Sequence, residues 1–176
     1  MLNAIRYEQL TRDLLDAFPE LNKRYLDLVD EVGNPGPDIF LGGLLFTGYV
    51  VTLAESKLSQ DRLTDAFSFL ERLVTSGDDR VVTAAVVNVL EYLSGFGYLG
   101  RIWDQLGPVS SRIALETAER LGHPLPGEED VYEHVDLQIY EALFRDEVIR
   151  RGGPSTITGA EASDIRNELL KRARNT

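Results

Sequence analysis

The sequence predicts an all-α protein, a compact multi-helix domain of about eight helices. Apolar residues recur at helical spacing in almost every segment, and short breaks rich in glycine and proline separate these segments. No segment shows the alternation of apolar and polar residues that marks a half-buried strand. The chain has 176 residues and no cysteine. A chain of this length buries enough apolar surface to fold without disulfide bonds.

The N-terminal part of the sequence predicts two helices and a break. The apolar face that predicts the first helix consists of Tyr7, Leu10, Leu14, Ala17 and Phe18. Pro19 suits the first turn of a second helix, because proline needs no hydrogen-bond acceptor there. Residues 33–37 read Gly-Asn-Pro-Gly-Pro and end that helix.

Residues 39–57 predict a third helix that is apolar nearly all round, with Asp38 as its cap. A strand is the alternative for this stretch, because residues 49–52 favour extended structure. The stretch Ile39–Ala54 has 16 residues without a charge. A bilayer-spanning helix needs about 20 residues, so we expect a buried core helix here and no membrane partner.

The middle of the chain predicts a helical pair. Residues 60–76 carry the clearest amphipathic stripe, which Gly77 ends. The next helix covers residues 80–94, and its start is favoured by Asp78 and Asp79. Its polar residues fall within one narrow sector and are Arg80, Thr83, Asn88, Glu91 and Ser94. A helix with so thin a polar stripe is surrounded by other helices, so we expect it to be the central one.

The C-terminal part predicts three further helices. Residues 95–107 are glycine-rich and look irregular, and Pro108 then starts a helix that ends at Gly122. Residues 129–151 predict a long helix, which a short last helix follows.

The breaks suggest how the chain is divided. We expect a main helical domain over residues 1–122 and a C-terminal helical hairpin over residues 128–176. The hairpin is expected to pack on the main part, so that the two form one domain overall.

The formal net charge is −11, from 29 acidic and 18 basic residues. Proteins bind nucleic acid and anionic membranes by neutralising phosphates with lysine and arginine, so this balance argues against both as partners. The N-terminal residues show no cationic start followed by an apolar run. We therefore expect a cytoplasmic protein with a basic protein partner.

Motifs that resemble catalytic or ligand sites are incomplete. Residues 95–100 read G-x-G-x-x-G, but they follow a predicted helix and not the strand that a dinucleotide site requires. His134 lies four residues after Asp130 without further metal ligands. The paired carboxylates, of which Asp30 and Glu31 are one example, are attributed to capping and dipole effects at helix ends. We expect no enzyme activity, no metal and no cofactor.

Two features could form a docking site for another protein. The densest acidic segment contains Glu128, Glu129, Asp130 and Glu133, and complementary charge there would raise the rate of association with a cationic partner. Its alternative interpretation is a solubilising helix start. Trp103, with Tyr98 as support, is the candidate aromatic anchor, and burial in the core is its alternative.

One short segment resembles a helical hairpin of the HEAT type. Residues 73–85 place an acidic turn before Val81, small residues and a helix that reaches Leu90. This resemblance implies HEAT-like hairpin packing as one option for the fold.

A longer resemblance covers residues 7–121. The resemblance depends on the apolar helix and on four short motifs, which are Phe18-Pro19-Glu20-Leu21, Phe69-Leu70-Glu71-Arg72-Leu73, Val89-Leu90-Glu91-Tyr92-Leu93 and Leu106-Gly107-Pro108. These motifs are similar to a family of small bacterial all-helical proteins of largely unknown function. Such proteins occur among the immunity-type proteins of polymorphic toxin systems, and the family implies no catalytic residues.

The preferred hypothesis is a non-enzymatic protein-binding protein, an immunity protein that neutralises a cognate bacterial toxin by occluding its surface. The partner would be a basic toxin domain such as a nuclease, whose cleft must attract phosphate. The first alternative is a HEAT-like helical scaffold or regulatory module. The second is a helical small-molecule-binding domain or enzyme, which a polar pocket around His134 would favour.

Overall fold

The computed structural model describes residues 5–42, 46–55, 60–123, 125–127, 146–147 and 149–152, together with Ile165 and Glu168. All regular secondary structure in this part of the chain is helical, which confirms the all-α class. The helices are α1 (Leu10–Ala17), α2 (Asn22–Val32), α3 (Pro37–Leu41), α4 (Phe46–Glu55), α5 (Gln60–Val74), α6 (Asp79–Gly95), α7 (Leu99–Ile102) and α8 (Pro108–Leu121). Single 3-10 turns precede α1 and α2 and follow α7, at Tyr7–Gln9, Pro19–Leu21 and Trp103–Gln105.

The hairpin of α5 and α6 forms as the sequence predicts. The amphipathic stripe of α5 is buried and consists of Leu63, Ala66, Phe67, Leu70, Leu73 and Val74. Gly77 lies in the connection between α5 and α6 and has a φ of 77°. This backbone conformation is strained for residues with a side chain but not for glycine. The Asp78 carboxylate accepts a hydrogen bond of 3.0 Å from the amide of Arg80 and so caps α6.

Helix α6 is the central helix, as predicted, because it packs against α3, α4, α5 and α8. The prediction of one polar stripe along it is wrong, since Asn88 and Ser94 are buried. The physical reason is a π-turn at Val86–Leu90. Its extra residue shifts the register of the helix and turns Asn88 towards the interior.

The predicted helix over residues 39–57 is two helices, α3 and α4. Helix α3 ends at Leu41, and Gly42 then adopts an extended conformation, with a ψ of 138°. The described residues of this stretch contain no strand, so the strand alternative is wrong for them. Residues 43–45 and 56–57 lie outside the described part.

The apolar stretch Pro37–Ala54, which runs across residues 43–45, is long and apolar enough to cross a membrane by length and composition alone. Helix α6 and the segment Leu99–Gln105 pass the same test only when they are taken together as one membrane span. The two segments are bent by 114° relative to each other. In this fold 60% of Pro37–Ala54 is buried. Burial in the core is therefore enough to explain its composition.

An aromatic cluster fixes the packing of α4 and α5 beside the end of α1. The Phe18 ring lies 5.7 Å from the ring of Phe46, 5.6 Å from that of Phe69 and 5.7 Å from that of Tyr49. These tilted and edge-on contacts are the arrangements that aromatic quadrupoles favour.

The C-terminal elements agree with the sequence in part. Pro108 starts α8 and Gly122 ends it in the left-handed conformation, both as predicted. The sequence predicts an irregular stretch over residues 95–107, and this is wrong for α7 and the turn after it. Four consecutive residues suffice for a helical turn here, because burial of Leu99 and Ile102 stabilises it. Of the predicted helix over residues 129–151, residues 146–147 and 149–151 are described; the first four are helical and Arg151 lies in a turn.

Candidate functional site

A cluster of polar side chains lies where α3, α4 and the π-turn of α6 meet. The Tyr7 hydroxyl donates a hydrogen bond to Oδ2 of Asp38, and Nδ2 of Asn88 donates one of 3.1 Å to Oδ1. The Thr47 hydroxyl lies 3.0 Å from the carbonyl oxygens of Leu41 and Asn88. The prediction of Asp38 as a cap is wrong, because α3 begins one residue earlier and the carboxylate bonds across to other elements.

Asp78 and Arg80, at the start of α6, hold the N-terminal segment onto this cluster. The amide of Tyr7 donates a hydrogen bond of 3.1 Å to Oδ2 of Asp78, and the Arg80 guanidinium lies 3.8 Å from the centroid of the Tyr7 ring. Nη1 of Arg80 also pairs with Glu8 at 2.6 Å. Burial and the neighbouring Asp38 raise the pKa of the Tyr7 phenol to about 12. These groups bond to one another, so the cluster fits a structural role that joins four parts of the chain.

Glu71 of α5 caps α8 from outside that helix. Its two carboxylate oxygens accept hydrogen bonds of 2.9 Å from the amides of Val109 and Ser110. Burial of the carboxylate raises its pKa, but the hydrogen bonds from Ser110 and Val109 outweigh this and lower the pKa below its usual value. A Cβ at Gly107 would lie 2.4 Å from the carboxylate carbon of Glu71, so a larger residue there would displace this carboxylate.

A serine and a histidine meet between α6 and the end of α8. The Ser94 hydroxyl donates a hydrogen bond of 2.9 Å to the carbonyl oxygen of Glu91 and lies 2.8 Å from Nδ1 of His123. Which of the two groups donates in the second contact depends on the tautomer of His123. Ser94 is fully buried, so this pair ties α6 to α8 and lacks the exposed hydroxyl that a nucleophile needs.

Most arginine and lysine side chains of the described part contact carboxylates or aromatic rings. The ion pairs join Arg12 to Asp13, Lys23 to Asp27, Arg62 to Glu20 and Asp65, Arg80 to Glu8, Arg112 to Glu116, Arg120 to Glu91, and both Arg150 and Arg151 to Glu147. By contrast, seven exposed carboxylates make no ion pair with a described residue: Asp16, Asp30, Asp61, Asp79, Asp104, Glu119 and Asp146. The surface potential of this part is therefore set by unneutralised carboxylates.

Asp30 and Glu31 correct the interpretation of the paired carboxylates. They lie in the last turn of α2, where the helix dipole is negative and disfavours acidic side chains. The sequence contained this signal, because the break at Gly33 places both residues at the C-terminal end of the helix. Leu26, on the same helix, is 60% exposed.

The structure describes two of the six residues predicted to bind a partner, Trp103 and Tyr98. Trp103 is half-buried, and Tyr98 is buried with the Arg101 guanidinium 5.6 Å from its ring centroid. Burial leaves Tyr98 as a support and not as a contact residue. Glu128, Glu129, Asp130 and Glu133 lie outside the described residues, as does His134.

The G-x-G-x-x-G motif has the structural context that the sequence predicts for it. The G-x-G-x-x-G segment follows α6, a helix, and Gly97 within it has a φ of 72°. In the described part of the chain, no group of three or more acidic or histidine side chains could hold a metal ion.

Comparison with known proteins places the chain in a family. No curated protein and no solved structure matches it significantly. The family described as a domain of unknown function, DUF7674, matches residues 11–121, more than half of the chain. These limits cover α1 to the last residue of α8. The chain therefore belongs to the DUF7674 family of proteins of unknown function.

Proposed function

We propose that this chain is a non-enzymatic, cytoplasmic protein-binding protein of the immunity type, which neutralises a cognate bacterial toxin by covering a basic surface on it. The observation that carries the proposal is the distribution of charge. The described cations are largely held in ion pairs, whereas seven described carboxylates face solvent without an ion pair to another described residue. Such a surface attracts a basic protein and repels phosphate.

The proposed mechanism is occlusion. A nuclease must concentrate positive charge in its cleft to hold phosphates, so an acidic protein reaches that cleft faster than a neutral one and then blocks it. Long-range attraction speeds association most at low ionic strength, because salt screens exposed charges beyond about 10 Å at 0.1 M. The proposal therefore includes a salt-dependent association rate.

The direct test uses the product of a neighbouring gene that encodes a basic toxin domain. The purified toxin and the full chain are mixed, and calorimetry at increasing salt measures the affinity. Binding that weakens with salt, together with loss of toxin activity, is expected. If the neighbouring genes encode no toxin and the chain captures no partner from its own organism, the proposal is wrong.

The acidic segment is tested separately by charge reversal. A variant with Glu128→Lys, Glu129→Lys and Glu133→Lys should bind the toxin more weakly and with a smaller dependence on salt. A matched variant reverses Asp61, Asp79 and Asp104, which are exposed elsewhere. Equal affinity and equal salt dependence in the first variant and the wild type would exclude this segment as the docking site.

A HEAT-like scaffold or regulatory module is the second candidate. The α5–α6 hairpin favours it, because two adjacent helices are joined by an acidic turn capped by Asp78. A partner that binds along a concave groove formed by one helix of each hairpin would support the scaffold. Hydrogen exchange mapped with a bound partner would distinguish this groove from an end-on contact.

A further inference from the structure

The residues that precede α1 form a short segment that other helices hold in place. Ile5 is only 3% exposed and belongs to the core, Arg6 is extended, and Tyr7–Gln9 form a single 3-10 turn. We call residues 5–9 the N-terminal segment. Its side-chain contacts join positions that lie 31 to 72 residues apart. Tertiary contacts, and not its own sequence pattern, therefore determine where this segment lies.

Three side chains from α3 and from the start of α6 bind the N-terminal segment. Asp78 accepts a hydrogen bond of 3.1 Å from the Tyr7 amide, and Asp38 accepts one from the Tyr7 hydroxyl. The Arg80 guanidinium lies 3.8 Å from the centroid of the Tyr7 ring and pairs with Glu8 at 2.6 Å. We call Asp38, Asp78 and Arg80 the segment-binding site. Together they recognise an amide, a phenol, an aromatic face and a carboxylate, which is the chemistry of a Tyr-Glu segment.

The joint between the N-terminal segment and α1 is a 3-10 turn that runs directly into the helix. The turn is closed by a hydrogen bond of 3.0 Å from the Gln9 amide to the carbonyl oxygen of Arg6. Among the described residues, no side chain caps α1 at Gln9. A 3-10 turn has poorer hydrogen-bond geometry than an α-turn, so residues 7–9 can join α1 as regular helix once the segment leaves its site. This gain offsets part of the contacts that the segment gives up.

We propose that two copies of this chain exchange their N-terminal segments, so that each segment occupies the segment-binding site of the other copy. The contacts in the exchanged dimer are those within one chain, and only the joint before α1 differs. A second copy is the occupant that the site selects, because it presents the amide, the phenol and the carboxylate in the required order. The inference goes beyond the proposed function and does not depend on a toxin.

The concentration at which exchange occurs follows from the tether. Within one chain the N-terminal segment meets its site at an effective concentration of about 1 mM or more, as is typical of a short tether. Exchange competes with this closed form when the protein itself reaches a similar concentration. Light scattering coupled to size exclusion, with the full chain at about 0.02–2 mM, should therefore show a monomer at the low end and a rising fraction of dimer at the high end. A monomer over the whole range would overturn the proposal.

Two complementary variants test whether the dimer uses this site. Glu8→Arg reverses the charge of the segment, and Arg80→Glu reverses that of the site. The two side chains are 67% and 61% exposed, so both variants should fold. Each variant alone places like charges together, in the closed monomer and in its own dimer. In an equimolar mixture, exchange restores an opposite-charge pair at both sites, so the mixture should dimerise at a concentration about tenfold lower than the wild type.

The matched control is the chain that carries both substitutions, Glu8→Arg with Arg80→Glu. Its closed and exchanged forms contain the same opposite-charge pair, so it should dimerise within about twofold of the wild-type concentration. Native mass spectrometry of one ¹⁵N-labelled and one unlabelled variant identifies the mixed dimer. A mixture that dimerises no more than either variant alone would refute the exchange. Equal dimerisation of all the proteins would refute it as well, because the copies would then meet through another surface.

Discussion

Replacing Glu71 by glutamine tests how α8 is held to α5. The carboxylate accepts two amide hydrogen bonds of 2.9 Å at the first turn of α8, from Val109 and Ser110. Glutamine has nearly the same shape but a single acceptor oxygen and no charge. The variant therefore removes the charge and one hydrogen bond without creating a cavity.

The expected magnitude follows from these contacts. A hydrogen bond to a charged group contributes about 1.5–3 kcal/mol, and a neutral one about 0.5–1.5 kcal/mol. Glutamine keeps one neutral bond, so the two states of this contact differ by about 1.5–5.5 kcal/mol. Because the Glu71 side chain is only partly buried, we expect a value near the lower end, a fall in the free energy of unfolding of about 2 kcal/mol. For a domain of this size that corresponds to a decrease in Tm of about 4–8 °C.

The assay is thermal and urea unfolding followed by circular dichroism at pH 7. Glu116→Gln is the matched control, because Glu116 lies on α8, the helix that Glu71 caps, and its ion pair with Arg112 is exposed on both sides. The control should change the free energy of unfolding by less than about 0.5 kcal/mol. Equal effects of the two substitutions would refute the role of Glu71 as a cap.

The pH dependence gives an independent check on Glu71. Its pKa in the folded protein is lowered from the usual value of 4.5. A carboxyl with a lowered pKa stabilises the fold fully above its unfolded pKa, and this contribution is lost as the pH falls through the folded pKa. The difference between wild type and Glu71→Gln should therefore be full at pH 7 and shrink below pH 4.5. A difference that stays constant down to pH 3 would refute the argument.

Three further substitutions test neighbouring contacts. Asp78→Ala should lower the free energy of unfolding in urea by about 1–2 kcal/mol, because it removes the α6 cap and the acceptor for the Tyr7 amide. A loss no greater than that of an alanine substitution at an exposed residue would contradict this. Tyr7→Phe should lower the free energy of unfolding by about 1 kcal/mol, because it removes the hydrogen bond to Asp38. It should also remove a phenol with a pKa of about 12 from the titration followed by ultraviolet absorbance. If the variant and the wild type gave the same absorbance titration above pH 11, the bond between Tyr7 and Asp38 would be contradicted. Gly107→Ala should lower Tm, because the Cβ of the alanine displaces the Glu71 carboxylate. In the double variant that also carries Glu71→Gln, the decreases in Tm of the two single variants should not add. Full additivity would show that the glycine and the carboxylate act separately.

Local signals explain the parts of the fold that the sequence predicts well. Gly77, Asp78, Pro108 and Gly122 act within a few residues of their own position, through backbone conformation or a hydrogen bond to a nearby amide. The apolar stripe of α5 likewise depends only on helical spacing. Such local signals do not depend on which helices become neighbours in the folded protein.

Tertiary contacts explain the parts that the sequence does not predict. The π-turn of α6 places Asn88 against Asp38, fifty positions away, and the capping of α8 comes from Glu71 of another helix. Neither contact has a local pattern, because each depends on which helices become neighbours. The same holds for the burial of Tyr98, which aromatic composition alone would equally place on the surface.

The candidate site shows a different kind of difference between sequence and structure. The order of charges in α2 is visible in the sequence once Gly33 is accepted as the end of the helix. The interpretation failed because acidic pairs at either end of a helix were treated alike, although the dipole favours them only at the start. The predicted acidic segment at residues 128–133 lies outside the described part and stays a prediction.

Departures from local helix rules occur inside α6 and at several helix ends. The π-turn of α6 costs regular hydrogen bonding, but the fold recovers this within itself, because the Asn88 amide reaches Asp38 and its carbonyl faces the Thr47 hydroxyl. At the ends of α1, α2 and α8 the carboxylates of Asp16, Asp30 and Glu119 oppose the helix dipole. These side chains are exposed, so solvent and salt screen their charges and each departure costs little. The departure in α6 is compensated within the fold and those at the helix ends by solvent, so neither kind needs a bound partner to explain it.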